Sequence, residues 1–264
     1  VMTVCLPYPK RRRLYLTGYA VLLALMCCHI AVCRAVSARE NVVVYESSGK
    51  RDGFVVQSAG RVYLIDVSDG AYTFTKRLTE TARDRYAVEI EGYFLTHYHK
   101  RHLASFQKLC GSYIVYGLYL PEPQTDAEWS VYHSLTTEAQ KRGVPVTVGE
   151  TALLGEIAVQ TAPRTYLKRS SHPITAVRFT KDGNGVAYAS SSWNEGEACI
   201  ADWLAAADVL FFGAHSPVYK KPFAVARERE PTLVVWNGDA ARFGEEIPAE
   251  YTAYGRERTM VRMK

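Results

Sequence analysis

The sequence predicts a mixed α/β (α+β) chain: an αββα sandwich, two sheets face to face with helices outside, behind one N-terminal transmembrane helix. Three observations predict it. Short β-branched runs alternate with helical patterns in two similar halves. A stretch of twenty residues without a charge lies near the start. The composition, 48% hydrophobic and 22% charged over 264 residues, is that of an ordinary globular core, with no shift, repeat or linker to mark a further domain. The chain divides into residues 1–39, a basic stub with the span, and residues 40–264, one sandwich domain.

The span comes first. "KRRR" at 10–13 precedes "LYLTGYAVLLALMCCHIAVC" at 14–33. Its length is about the 20 residues that a helix needs to cross a bilayer core. Four cations on its N-terminal side direct that end to the cytoplasm, so the domain is expected outside it. A cleaved signal peptide is the competing reading, with "VSA" before Arg39 as the cleavage site. The apolar run exceeds the usual h-region of about 7–15 residues and favours a retained anchor. His29, within the span, is assigned no function. The chain begins with Val1 rather than Met, and the expectation is a piece of something longer.

The body follows in order. "NVVVYESSGKRDGFVVQSAGRVYLIDV" at 41–67 is a set of β-branched runs broken by Gly, Ser and Asp, which reads as strands and hairpins. Residues 73–85 read as a surface helix. "AVEIEGYFLTH" at 87–97 reads as a strand running into a histidine cluster. Leu103, Phe106 and Leu109 stand at helical spacing in 102–110. Residues 112–120 read as a strand and 126–143 as a helix ended by Gly143. In the second half "PVTVG", "EIAVQTA", "ITAVRFT" and "GVAYASS" read as strands and 195–207 as a helix. "DVLFFGAHS" at 208–216 is a buried strand leading to His215, and "TLVVWNGD" at 232–239 is another strand.

Charge and cysteine content exclude some classes of function. Six of the basic residues (Lys10, Arg11, Arg12, Arg13, Arg34 and Arg39) lie in the first 39 positions, leaving 26 basic and 27 acidic side chains in the body. A body near neutrality gives no general electrostatic case for nucleic-acid binding. Four of six cysteines (Cys5, Cys27, Cys28 and Cys33) belong to the leader. Cys110 and Cys199 make at most one disulfide, and no CxxC metal pattern exists.

The chemistry-bearing stretch is "LTHYHKRHL" at 95–103, where His97, His99 and His102 are three of only seven histidines. At a strand end, His97 and His99 project the same way, and a turn into a helix returns His102 beside them. Converging imidazoles suit a Zn²⁺-like ion. His215, ending another strand, is the fourth candidate ligand. Against this stands the reading of "HYHKRH" as a solvated loop. His133 reads as a surface or packing residue and His172 as a loop residue.

"FLTHYHKRHLASFQKL" resembles the H-x-H-x-D-H signature of the metallo-β-lactamase fold. The order of parts resembles more specifically the C-terminal extracellular domain of ComEC-type competence proteins, which internalise DNA. "LIDVSDG" at 64–70, with Asp66, occupies the place of that family's first strand-end aspartate, and "YASSSWNEGEACIADWL" at 188–204 that of its "TGD" element. "VLFFGAHSPVYKKPF" at 209–223 resembles its "HHGS" element, and "LVVWNGD" the strand before its C-terminal region.

The resemblance implies metal ligands His97, His99, His102 and His215, with Asp66 as a weaker one, and a divalent cofactor, Zn²⁺ or Mn²⁺. The departures bear on that expectation. Arg101 stands where the family has the Asp that ligates the second metal, and Ser191 falls near its bridging Asp. A guanidinium cannot lose its proton, so Arg101 reverses the sign of the interaction with a nearby divalent ion. One metal or none is therefore expected, with Arg101 and Lys100 supplying an anion-binding charge instead.

The expected function is the extracytoplasmic domain of a ComEC-like DNA-uptake membrane protein with impaired or absent two-metal nuclease activity. A single-metal hydrolase and a non-catalytic interaction module are the alternatives. The expected partners are single-stranded DNA, the membrane and other competence-type membrane components. Basic side chains stand beside aromatic ones in "VYKKPF" at 218–223 and "YLKRSSH" at 166–172, which suits a stacking surface, whereas "RERE" at 227–230 is a solvated charge run.

Overall fold

A computed structural model describes residues 9–37, 39–48, 51–68, 70–85, 87, 89–162, 165–166, 173–174, 176–189, 204, 207–213, 233–236, 252–254 and 258–264. The chain opens with α1 (Pro9–Ser37). Its stretch Arg13–Val36 is 24 residues long, packs against nothing that buries it, and is apolar and long enough to cross a membrane. At 1.5 Å per residue it extends about 36 Å.

The first sheet begins as an antiparallel meander of β1 (Val42–Ser48), β2 (Arg51–Ser58) and β3 (Arg61–Asp66). Three crossovers then build it outward in parallel. From β3 the chain passes through α2 (Tyr72–Asp84) to β5 (Gly92–Leu95), through α3 (Lys100–Ser112) to β7 (Leu118–Leu120), and through α4 (Asp126–Lys141) to β8 (Val146–Val148). Parallel neighbours need such crossovers, and their common hand lays all three helices on one face. On the other edge β18 (Arg258–Arg262) pairs antiparallel with β1, giving the order β18-β1-β2-β3-β5-β7-β8.

The second sheet joins β9 (Thr151–Leu154), β10 (Ile157–Thr161), β13 (Ala176–Lys181) and β14 (Asn184–Ala189) in antiparallel pairs. It continues in parallel through β15 (Val209–Phe212), β16 (Leu233–Trp236) and β17 (Thr252–Tyr254). Two short pairs, β4 (Glu89–Ile90) with β6 (Ile114–Val115) and β11 (Thr165–Tyr166) with β12 (Pro173–Ile174), stand apart.

The strand pleat sorts side chains into two cores. Val42, Val44, Val55 and Leu64 face the helices, where Phe74, Leu78, Phe106 and Leu135 meet them. Val43, Tyr45, Phe54 and Ile65 face the second sheet, where Phe179, Tyr188 and Phe211 meet them. A sheet covered on both sides needs apolar residues at successive positions, which explains the unbroken "VVVY" of β1.

The strand expected over 87–97 is instead β4 and β5, broken at Glu91 and ending at Leu95. The one expected over 112–120 is broken at Tyr116–Gly117. The helix expected over 195–207 lies outside the described residues except for Leu204, which is helical and fully buried, and Ala207. Strands β9, β11, β17 and β18 have no counterpart in the sequence pattern.

Candidate functional site

The carboxyl ends of parallel strands are where α/β sheets place ligands, and here β3 and β5 end side by side, with Asp66 paired to Leu95. Beyond Leu95 the chain continues through Thr96 to His97, so the histidines follow the strand rather than lie on it. His99 is the N-cap of α3, with extended backbone, and its Nδ1 accepts from the Arg101 N–H at 3.4 Å. The His102 N–H donates to the His99 carbonyl at 2.9 Å. This tight turn returns His102 beneath the other two. Its ring centroid lies 5.2 Å from His97 and 6.4 Å from His99, edge-on to both. His97 and His102 are buried and His99 half-buried.

Asp66 anchors this arrangement. Its Oδ1 accepts from the Ser68 N–H at 2.9 Å and the Ser68 hydroxyl at 2.6 Å. Its Oδ2 accepts from the Tyr93 hydroxyl at 2.9 Å and lies 3.9 Å from His102 Nδ1. Both oxygens are thus hydrogen-bonded within the protein, which fixes the carboxylate's orientation beside His102. Burial, reinforced by the Asp66 carboxylate, holds the Tyr93 phenol protonated well above its ordinary range. Gly70 sits over His102 with φ +69°, and its carbonyl accepts from the Ser105 hydroxyl at 2.9 Å.

A second buried carboxylate lies one strand away. Asp52, next to the Gly53 that pairs with Asp66, accepts from Tyr45 at 2.6 Å and from Tyr188 at 3.1 Å. Tyr188 comes from the opposite sheet, so this cluster ties the two sheets together at the histidine end. Burial and Asp52 hold the Tyr188 phenol protonated as well. Gly213, just past β15, is packed here: a Cβ on it would fall 2.6 Å from Asp52 Oδ2.

Lys100 and Arg101 are exposed on the first turn of α3, which carries no acid. His215 and Ser191 lie outside the described residues, as do residues 218–223 and 167–172. Among the described residues, no group of three His, Cys, Asp or Glu side chains is disposed to hold a metal ion.

No family model and no curated protein matches the chain. Solved structures do match. The metallo-β-lactamase fold protein YhfI from Bacillus subtilis aligns over 85% of this chain and 100% of its own, with TM-score 0.56 and 15% identity. The chain has the metallo-β-lactamase fold. CmlA, a diiron β-hydroxylase from Streptomyces venezuelae, aligns over 85% of this chain and 54% of its own, with TM-score 0.51 and 13% identity. At such identities it is the metallo-β-lactamase fold alone that is shared.

Sequence reasoning missed Asp52, Tyr45, Tyr93 and Tyr188. The available signal was an acid beside a glycine inside an apolar stretch, "RDGFVVQ", which was read as a break between strands. Gly53 is instead a strand residue: a Cβ there would meet the Ile65 carbonyl at 2.8 Å and Phe74 at 2.9 Å. Glycine is what a strand requires where a neighbour's backbone approaches this closely.

Proposed function

We propose that this chain is the extracytoplasmic, membrane-anchored domain of a ComEC-like DNA-uptake protein, binding single-stranded DNA with two-metal nuclease chemistry impaired or lost. The observation that carries this reading is Arg101. It stands between His99 and His102, where the resembling family has its second-metal aspartate, and is exposed on the first turn of α3 beside Lys100. Two cations at the positive end of a helix dipole, the Arg101 guanidinium permanently charged, attract phosphate and repel a divalent ion. A two-metal clamp on a phosphodiester needs carboxylates to offset its charge, and the described residues supply only Asp66 and Asp52 nearby, both bonded within the protein.

A single divalent ion, Zn²⁺ or Mn²⁺, is the second reading, and the convergence of the His97, His99 and His102 rings favours it. In that reading His97, His99, His102 and His215 are the ligands. Asp66, 3.9 Å from His102 Nδ1, acts behind the ligand by fixing its ring, as carboxylates behind metal-bound histidines do. The anchor is α1, with its basic N-terminal side in the cytoplasm and other competence-type membrane components as neighbours.

Elemental analysis and a nuclease assay on the full chain in detergent test this. At most one metal equivalent and no cleavage of labelled single-stranded DNA with Mn²⁺, Mg²⁺ or Zn²⁺ are expected. Two equivalents, with cleavage abolished by His97→Ala and His99→Ala, would overturn it. Protease added to cells with a permeabilised outer layer should digest residues 40–264; protection would reverse the orientation.

A further inference from the structure

We infer that the exposed face at the N-terminal end of α4 is a base-stacking platform for single-stranded nucleic acid, built on Trp129 and His133 and leading to the histidine loop. The inference rests on the proposed nucleic-acid reading and extends it to a surface that reading does not use.

Helix α4 turns Glu128, Val131, Leu135 and Ala139 into the protein. Trp129 and His133, four residues apart, fall on the same outer stripe, and both are exposed. Trp129 retains 43% of its exposure, an unusual position for the largest aromatic residue in a chain with only four. Its ring centroid is 5.5 Å from that of His133 at a tilt of 31°, an offset and partly overlapping arrangement of the two rings. Half-buried Tyr132 props this pair edge-on, at 5.3 Å from Trp129 and 5.6 Å from His133.

Tyr132 also links the platform to the site. Tyr98, the residue between His97 and His99, meets it edge-on at 6.3 Å. The Tyr98 hydroxyl donates to the Pro121 carbonyl, fixing the histidine loop to the segment that leads into α4. That segment is itself rigid: Thr125 accepts from the Glu128 N–H at 3.2 Å, and Glu128 accepts from the Gln124 N–H at 2.6 Å in the manner of a capping box. The rings therefore stand preorganised, from the exposed Trp129–His133 pair through Tyr132 to Tyr98. Lys100 and Arg101 follow Tyr98 by two and three residues and are exposed. Asp126 and Glu122 are exposed acids at this end of α4 and equal those two cations in number, so the stacking rings rather than a net charge would carry the binding.

The chemistry that fits is a chain of flat rings joined by anions. Every base has a π-face, so aromatic platforms bind single strands with little sequence preference, while cations track the backbone. A duplex, whose bases are already stacked, gains nothing from an exposed indole.

The test is fluorescence anisotropy of labelled dT20 with the full chain in detergent, alongside an abasic oligonucleotide of equal length and charge, a duplex and heparin. Wild type should bind dT20 in preference to all three and quench tryptophan fluorescence on binding. Trp129→Ala should weaken dT20 binding by about fivefold to a hundredfold, the range expected for one lost stacking partner, and abolish the preference over the abasic strand. Trp129→Phe should retain that preference. Lys100→Ser with Arg101→Ser should instead flatten the salt dependence, by a slope of about 0.7 per charge removed. Equal binding of dT20 and abasic strand by wild type, or Trp129→Ala indistinguishable from wild type on dT20, would overturn the platform while leaving nucleic-acid binding intact. No binding to any oligonucleotide would remove the nucleic-acid reading and the platform with it.

Discussion

Gly70 holds His102 in place by having no side chain. A Cβ on Gly70 would fall 2.6 Å from His102 Nδ1 and 2.7 Å from its backbone nitrogen. Its φ of +69° is also in the left-handed region that other residues avoid. Gly70→Ala is therefore expected to destabilise the fold by about 2–4 kcal/mol, adding left-handed strain to overpacking against a buried ring. Urea unfolding reads the loss. A stability within about 0.5 kcal/mol of wild type would show that the loop yields instead.

Arg101 provides the second prediction. Arg101→Asp removes a permanent cation and adds an oxygen ligand beside His99 and His102, so Zn²⁺ or Mn²⁺ affinity should rise. Calorimetric titration of the full chain measures it. Phosphodiester cleavage should nevertheless stay absent, since the second carboxylate of a two-metal clamp is not restored. Unchanged metal affinity in Arg101→Asp would mean that this position does not face the metal side of the loop.

Much of the domain was legible because its local patterns are strong. Strands β1, β2 and β3 follow from their β-branched runs, α3 from the helical spacing of Leu103, Phe106 and Leu109, α2 from a polar stretch of helix formers and α4 from its Gly143 stop. Strand β18 was illegible for the converse reason. It is an edge strand in which Arg258, Met260 and Arg262 alternate with partly covered Thr259 and Val261, so its sequence carries no apolar stripe. Likewise β9 exposes Leu153 at 70%. At the site, the histidine spacing revealed the cluster, but not that His99 would cap a helix. The partners of Asp52 could not be read locally either: Tyr188 lies 136 positions away in the chain, and only the sandwich brings the two together.

The Cys110 thiol supplies a prediction in pH. It is free, and burial raises its pKa from 9.0 to about 11. A raised thiol pKa keeps the unreactive neutral form through the range where an ordinary cysteine begins to ionise. Below pH 9 the folded chain should therefore alkylate Cys110 about a hundredfold more slowly than a free cysteine, that being the ratio of thiolate for two pH units. The rate should climb only as pH approaches 11. Mass spectrometry of iodoacetamide-treated protein follows it, and rapid labelling at pH 8 would show that the region opens.

Glu46 yields an asymmetric expectation. Its carboxylate is fully buried in β1 and accepts from Arg77 at 2.9 Å, from Thr81 and from Arg258. It thereby ties α2 and β18 to the meander. The two arginines differ from it in being 34% and 42% exposed at the side chain, so each can be hydrated when it loses its partner. Glu46 cannot. Glu46→Gln keeps the shape and a hydrogen-bonding oxygen, and should cost about 1–2 kcal/mol, the modest value set by solvent screening of the arginines. Removing both arginines by Arg77→Ala with Arg258→Ala strands a charge in the sheet and should cost about 3–5 kcal/mol. The order of the two losses in urea unfolding is the test. If Glu46→Gln were the more damaging, the carboxylate itself would hold the arginines' ends of the fold together, and its desolvation would not dominate.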